Sequence, residues 1–199
     1  MPDDDPIRIV REDILADHYY TLKNITYAQR RLDGKVQQQS REVYDCASGA
    51  SVLLYNRARR TVVLTRQFRP GARLNGHDGF LLEAAAGVLD GADPAERARA
   101  EALEETGYAI GTPQPAMSLF VSPGSITERN HLFVAEYDPD NRPGAGGGQA
   151  EEGEDIDVVE MDFDDALALV DNGGIIDAKT VLLLLHLERK VLGRHGEAS

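Results

Sequence analysis

Gly87-Val-Leu-Asp-Gly-Ala-Asp93-Pro-Ala-Glu96-Arg-Ala-Arg-Ala-Glu101-Ala-Leu-Glu104-Glu105-Thr-Gly107-Tyr108 is the stretch that decides the fold. Asp93 is an N-cap residue, Pro94 stands at the first helical position where its missing N–H is harmless, and Glu96 follows three residues after the cap. Gly107 supplies the stop. Ala95, Ala98, Ala102 and Leu103 give the helix between them a small-residue face suited to close packing on a sheet.

The charges on this helix run against its stability. Glu101, Glu104 and Glu105 crowd the last two turns, where the helix dipole favours cations. Glu101 and Glu105 are four apart and Glu101 and Glu104 three apart, so like charges share a face at a further few tenths of a kcal/mol per pair. A solvated acidic face is the plain explanation of such a cluster. The alternative is a divalent-cation site: carboxylates at i and i+4 project side by side and offer the hard oxygens that suit Mg²⁺.

In full, Gly87 to Tyr108 resembles the Nudix box, the loop-helix-loop signature of hydrolases acting on nucleoside diphosphates linked to another group, and Glu-Ala-Leu-Glu-Glu-Thr-Gly-Tyr is its most diagnostic part. The resemblance implies an α/β/α Nudix sandwich, Mg²⁺ on the helix carboxylates and attack of water on a diphosphate. The box is one residue shorter than usual, Ala100 stands where the family has an arginine, and Asp93 replaces the usual glutamate at the loop's end. Arg97 or Arg99 is the expected substitute for the missing brace.

Outward from the helix, residues 18–45 read as a long hairpin closed by an Asp33-Gly34 turn. Tyr19, Tyr20, Leu22, Ile25 and Tyr27 would leave apolar surface wet unless another element or subunit covers it, which predicts a dimer. Ala50 to Tyr55 and Thr61 to Phe68 read as a second hairpin, followed by the short apolar piece Phe80 to Ala86. Beyond the helix come strands at Ser118 to Val121 and Leu132 to Tyr137, a mobile loop over Pro139 to Gly153, and a strand from Ile156 to Met161. Two helices close the chain, around Asp164 to Val170 and from an Asp177 cap through Lys179 to about Leu192. Mixed strands between helices predict an α/β layered domain with a mixed sheet. The expected division is an N-terminal β-strand dimerisation region, 1–45, before a hydrolase domain, 46–199.

The 199 residues are 42% hydrophobic and 28% charged, which fits a folded globular chain. Thirty-four acids against twenty-one bases give a net charge of −13, repelling nucleic acid and anionic membranes alike. Cys46 is the sole cysteine, so neither an internal disulfide nor a cysteine zinc site is available. No secretory signal opens the chain, and the plainly apolar run Val181 to Leu185 is far below the ~20 residues that span a bilayer. A cytoplasmic location is expected.

The resemblance extends through Tyr19-Tyr-Thr-Leu-Lys-Asn-Ile-Thr-Tyr27, Arg41-Glu-Val-Tyr-Asp45, Arg66-Gln-Phe-Arg69, Ser122-Pro-Gly-Ser-Ile-Thr-Glu128 and Gly146-Gly-Gly. These look like the GDP-mannose hydrolase branch of the family, close to the ADP-ribose pyrophosphatases, whose members are homodimers exchanging N-terminal strands. Residue by residue, it implies that the Ala86 carbonyl, Glu101, Glu105 and Glu154 hold Mg²⁺, with Glu104 supporting or sharing the site. Glu128 and Glu152 are the candidates for the base that takes a proton from water, with Glu128 slightly preferred. Arg69 is expected to fork onto the diphosphate and Arg41 to clamp it, with Glu42 and Gly87 beside the substrate. Tyr19 is expected to stack on the base and Lys179 to reach a phosphate or sugar oxygen.

The implied reaction is Mg²⁺-dependent hydrolysis of GDP-mannose to GMP and mannose 1-phosphate. An ADP-ribose or ADP-sugar pyrophosphatase is the neighbouring alternative, and a non-catalytic nucleotide-sugar sensor is one of another class. Gly144 to Gly148 lacks the Lys-Ser/Thr of a Walker loop and reads as a hinge for the Glu152/Glu154 loop. Ser122 and Ser125 lack a nucleophile elbow.

Overall fold

Alternation along Ala50-Ser-Val-Leu-Leu-Tyr55 builds two cores from one strand. The chain's computed structural model describes residues 5–193. In it, β1 (Ile7–Asp17), β2 (Thr21–Arg30) and β3 (Val36–Asp45) precede β4 (Gly49–Asn56) and β5 (Thr61–Phe68). A short helix α1 (Pro70–Leu74) leads to β6 (Phe80–Glu83), β7 (Ala85–Val88) and the acidic helix α2 (Pro94–Thr106). Then come β8 (Gln114–Phe120), β9 (Arg129–Glu136), β10 (Asp157–Asp162), α3 (Phe163–Asn172) and α4 (Ala178–Leu187), with a π-helical turn at Glu188–Leu192.

Two compact units emerge, one of residues up to Ser48 with Phe120–Arg129, the other of Gly49–Leu119 with the chain from Asn130 on. The first is a three-stranded antiparallel sheet in the order β1-β2-β3. Residues 120–129 join it through a parallel bridge between Tyr44 and Ile126 and through Thr127 Oγ1, which donates to Asp45 and accepts from Cys46 N–H.

The second unit is a mixed sheet in the order β10-β5-β4-β9-β8, with β4 and β9 parallel and the other pairings along β4 and β5 antiparallel. Leu53 and Tyr55 of β4 pack with Phe163, Leu167, Leu183 and Leu187 from α3 and α4. Ala50, Val52 and Leu54 point the other way, onto Ala98 and Ala102 of α2. Because side chains alternate across a strand, β4 feeds both layers and the unit is an α/β/α sandwich.

One break in this sheet positions the site. β4 and β5 pair over Leu54↔Val63 to Asn56↔Thr61, beyond which β6 pairs with β5 and β7 pairs with β4. The apolar piece Phe80 to Ala86 is thus two strands, separated at Ala84. Glu83, Ala86 and Gly87 lie on either side of this fork.

Sequence pattern missed β1. Its pairing with β2 is interrupted between Ile9 and Arg11 and between Ile14 and Ala16. Each bulge shifts the alternation by one residue, so Ile7-Arg-Ile-Val-Arg-Glu-Asp-Ile-Leu lacks the period of a strand. Among the described residues no helix is long and apolar enough to cross a membrane.

Candidate functional site

Helix α2 forms as its caps predict. Asp93 Oδ1 accepts from Ala95 and Glu96 N–H at 2.9 and 3.2 Å, and Gly107, at φ 78°, donates to the Leu103 carbonyl. The alanine face that holds the helix against the sheet also carries Glu101 and Glu105 inward, leaving them 3% and 1% exposed. Glu105 Oε2 accepts from Ala86 N–H at 3.2 Å. Glu101 lies against Gly87, where any Cβ would collide with its carboxylate, so glycine makes the approach possible.

These carboxylates are incompletely satisfied. Oε1 of Glu101 and Oε1 of Glu105 are buried without a hydrogen-bond partner. Arg97 Nη2 forms an ion pair with Glu101 Oε1, but it leaves that oxygen, and its own Nε, without an aligned hydrogen bond. Arg97 Nη1 lies 3.8 Å from Glu104 Oε2. Burial pushes the Glu101 carboxyl up to about 7, with Glu104 and Glu154 adding to the rise and Arg97 opposing it. Burial, then the charge of Glu101, pushes Glu105 up to about 8, against the hydrogen bond from Ala86. Two buried hard oxygens, one with no partner and one held only by an ion pair, fit a divalent cation. Among the described residues no three His, Cys, Asp or Glu side chains gather closely enough to hold an ion as placed; a guanidinium stands beside Glu101 instead. Of the two expected braces, Arg97 pairs with Glu101 beside Gly87, whereas Arg99 pairs with Glu96 at 3.5 Å.

The segment read as a mobile loop and hinge makes the C-terminal cap of α2. Gly147 N–H donates to the Glu105 carbonyl at 2.9 Å and Gly148 N–H to that of Glu104 at 3.1 Å. Arg142 Nε donates to the Thr106 carbonyl at 3.2 Å. Donors and a cation therefore meet the negative end of the helix dipole, partly offsetting the three glutamates there. Gly146, Gly147 and Gly148 all have positive φ, and a Cβ on Gly146 would run into the backbone of Glu105 and Thr106. The same loop brings in Glu154, whose Oε2 accepts from Gln149 N–H at 2.8 Å.

On the other side of the fork, Arg69 donates from Nε and Nη2 to the two oxygens of Glu83, both at 2.8 Å. Lys179 Nζ reaches Glu83 Oε2 at 2.5 Å and Asp177 Oδ1 at 2.9 Å. The side-on edge of Arg69 is thus already engaged, and the edge left for a ligand is its Nη1 end. Burial pushes the Glu83 carboxyl up, but Arg69 and Lys179 together outweigh it and hold it below the usual range. Sequence reading missed Glu83, although one carboxylate inside an apolar run is the signal for a buried ion pair.

Tyr19, Arg41, Glu42 and Glu128 belong to the first unit. Tyr19 is 83% exposed and packs edge-on against Tyr20, centroids 4.7 Å apart. Arg41 and Glu42 lie on β3, where Arg41 donates to the Ser40 carbonyl and to Gln39 Oε1. Glu128 follows the Ser122-Pro-Gly turn, half-buried, and its charge is felt by Tyr20. The Glu152 side chain lies outside the described residues. The structure thus sets Glu105 on Ala86 and Glu101 against Gly87, with the charges of Glu104 and Glu154 felt by Glu101; it sets Arg69 and Lys179 on one carboxylate, and holds Tyr19, Arg41, Glu42 and Glu128 on the other unit.

Comparison with known proteins divides the chain near residue 45, with 120–129 inside the second match. Residues 47–184 match the NUDIX domain, and residues 6–44 match the GDP-mannose pyrophosphatase NudK N-terminal domain. The chain is 50% identical over 183 residues to the GDP-mannose pyrophosphatase of Cronobacter sakazakii, covering 92% of this chain and 95% of the relative. It is 49% identical to that of Pectobacterium atrosepticum, over 91% and 93% of the two chains. The Escherichia coli K12 protein of the same name is 48% identical over 92% and 95%.

Proposed function

The chain belongs to the Nudix family, and from that premise we propose that it hydrolyses the diphosphate bond of a nucleoside diphosphate sugar, with GDP-mannose as substrate and GMP and mannose 1-phosphate as products. The observation that carries this reading is the pair of buried box-helix carboxylates, Glu101 and Glu105, whose Oε1 atoms lack a hydrogen bond, with Glu101 against Gly87 and ion-paired to Arg97. Hydrolases of this family generally need a divalent metal; here Mg²⁺ fits best, held by the Ala86 carbonyl, Glu101, Glu105 and Glu154 with Glu104 in support. Bound there, it supplies charge withdrawal from the diphosphate and acidification of water.

The chain's own residues do the rest. Arg69 offers its free guanidinium end to a phosphate oxygen, and Lys179 a proton donor beside it. Arg41, Glu42 and Gly87 hold the ligand, while Tyr19 stacks on the base. Glu128 or Glu152 takes the proton as water adds to one phosphorus, and the bridging oxygen departs on the other phosphate. Of the two, Glu128 is the preferred base. The protein acts in the cytoplasm as a homodimer formed through its N-terminal strands. Ile7, Ile9, Val10, Ile14 and Leu15 of β1 support the dimer, since all are exposed and apolar.

A screen of nucleoside diphosphate sugars with Mg²⁺ tests the reading, with products identified by mass and the best case repeated in ¹⁸O water. GDP-mannose is expected to be turned over fastest, with one labelled phosphate product. Faster turnover of ADP-ribose would move the chain to the neighbouring activity. Tight binding with no turnover of any nucleotide sugar would make it a sensor.

A further inference from the structure

Among the described residues, Glu83 is the one fully buried carboxylate to which the proposed reaction assigns no role. It is 1% exposed, so its charge must be matched where it stands. Both oxygens are: Oε1 receives Arg69 Nε, while Oε2 receives Arg69 Nη2 and Lys179 Nζ. The arrangement closes on itself across three elements. Lys179 also donates to Asp177 Oδ1, Asp177 Oδ2 accepts from Thr180 N–H and Oγ1 at 3.0 and 2.6 Å, and Thr180 Oγ1 accepts from Ala84 N–H at 2.7 Å. The residue after Glu83 is thus tied to the start of α4, which carries Lys179, and the fork of the sheet is tied to Arg69.

Exposure gives the network a direction. The Arg69 side chain is 41% exposed and that of Lys179 13%, while Glu83 is sealed behind them. A planar guanidinium held along its Nε/Nη2 edge cannot rotate, so its Nη1 end points one way. The cluster seals its carboxylate and leaves the Arg69 side chain partly open to solvent, with Nη1 the nitrogen that Glu83 does not engage. We propose that Glu83 is a positioning residue that fixes Arg69 and Lys179 as a paired cationic seat for the substrate's diphosphate. This rests on the reading above that these two cations contact substrate.

The test compares wild type, Glu83→Gln, Arg69→Ala and the double variant as full-length protein. KM and kcat are measured with GDP-mannose at saturating Mg²⁺, and Mg²⁺ affinity by thermal shift without substrate. Glu83→Gln is expected to raise KM about tenfold while kcat falls less than about threefold. The Mg²⁺ midpoint should stay unchanged, which a general loosening of the fold would not allow. Because only the share that runs through Lys179 remains, the substitution should add no more than about threefold to KM in the Arg69→Ala background. An unchanged KM in folded Glu83→Gln, or single effects that multiply, would overturn the proposal.

Should Glu83→Gln fail to fold, Asp177→Asn releases Lys179 from its second carboxylate and is expected to raise KM about threefold; no change would likewise overturn it. Should the wild type turn over no nucleotide sugar, the reading of function falls by itself. Calorimetric titration of inorganic pyrophosphate into the metal-free protein then decides the inference alone. Wild type should bind about tenfold more tightly than Glu83→Gln or Asp177→Asn, and equal affinities would refute the seat.

Discussion

Arg97 Nη2 is ion-paired with Glu101 Oε1 one turn further along α2, beside Gly87. A side-chain cation therefore stands where the family resemblance places a metal, and the two must share or exchange that oxygen. The pair is also what keeps a buried carboxylate tolerable without metal.

Substituting Arg97 by Met separates these roles. At pH 8 without Mg²⁺, the variant loses the counter-ion of Glu101 and should be less stable by roughly 1–3 kcal/mol, reduced from a fully buried pair because Arg97 is partly exposed. Scanning calorimetry with and without Mg²⁺ should show a larger metal-induced rise in Tm than in wild type. An equal rise in both proteins would mean that Arg97 and the metal do not meet at Glu101.

Gly146→Ala probes the cap. The residue sits at φ 74°, and its Cβ would strike the Glu105 carbonyl and the Thr106 backbone. Positive φ alone costs an alanine about 1–3 kcal/mol, and here the clash must also push the loop off the helix end. Tm should fall and Mg²⁺ affinity should weaken, because Glu154 arrives on the same loop. Normal Mg²⁺ affinity in a destabilised Gly146→Ala protein would show that loop and metal site are independent.

What was legible in the sequence is what short-range chemistry fixes. Asp93, Pro94 and Gly107 mark both ends of α2 because caps act over three or four residues. Ala98 and Ala102 face the sheet because helical spacing is local too. The carboxylates were nameable from that spacing, but their partners were not. Arg69, Glu83 and Lys179 are joined across 14 and 96 residues of sequence, and no periodicity reports such a contact. Gly144 to Gly148 looked like a hinge for the same reason: the carbonyls that hold it belong to Glu104 and Glu105, some forty residues earlier. In β1 even the local pattern failed, since two bulges cancel the strand's alternation.

Those bulges yield a prediction about assembly. Val10 and Leu15 fall at the register breaks, have no partner in the β1–β2 ladder and are 45% and 50% exposed. Apolar residues at such positions are expected to be covered by a second copy of the chain. Replacing both with Lys should convert a dimer to a monomer, read by light scattering after gel filtration. The exposed positions carry no core packing, so Tm extrapolated to low protein concentration should change by only a few degrees. A wild type that is already monomeric would remove the case for this interface.

The pH dependence of the metal-free protein follows from Glu105. Its carboxyl is raised to about 8 in the fold, chiefly by burial and then by Glu101, against an ordinary value of 4.5. As pH climbs from 4.5 towards 8 the unfolded chain gives up this proton first, so the folded state binds more protons and stability falls over that interval. Glu101, raised to about 7, acts with the same sign. His186 acts with the opposite sign, since burial lowers its pKa below 6.5 and its contribution grows until pH has passed that ordinary value, so the fall due to Glu105 is read above it. In the presence of a chelator, wild-type Tm should therefore drop between pH 6 and 9. Glu105→Gln keeps the shape without the charge, so its Tm should drop less and exceed that of wild type at pH 9. Millimolar Mg²⁺ should flatten the wild-type curve, because it binds the deprotonated carboxylates, and should do little for the variant, which should also lose most turnover. If Glu105→Gln is no more stable than wild type at pH 9 without metal, the carboxylate is not held in the fold at the expense of stability, and its role as a cation ligand loses its physical basis.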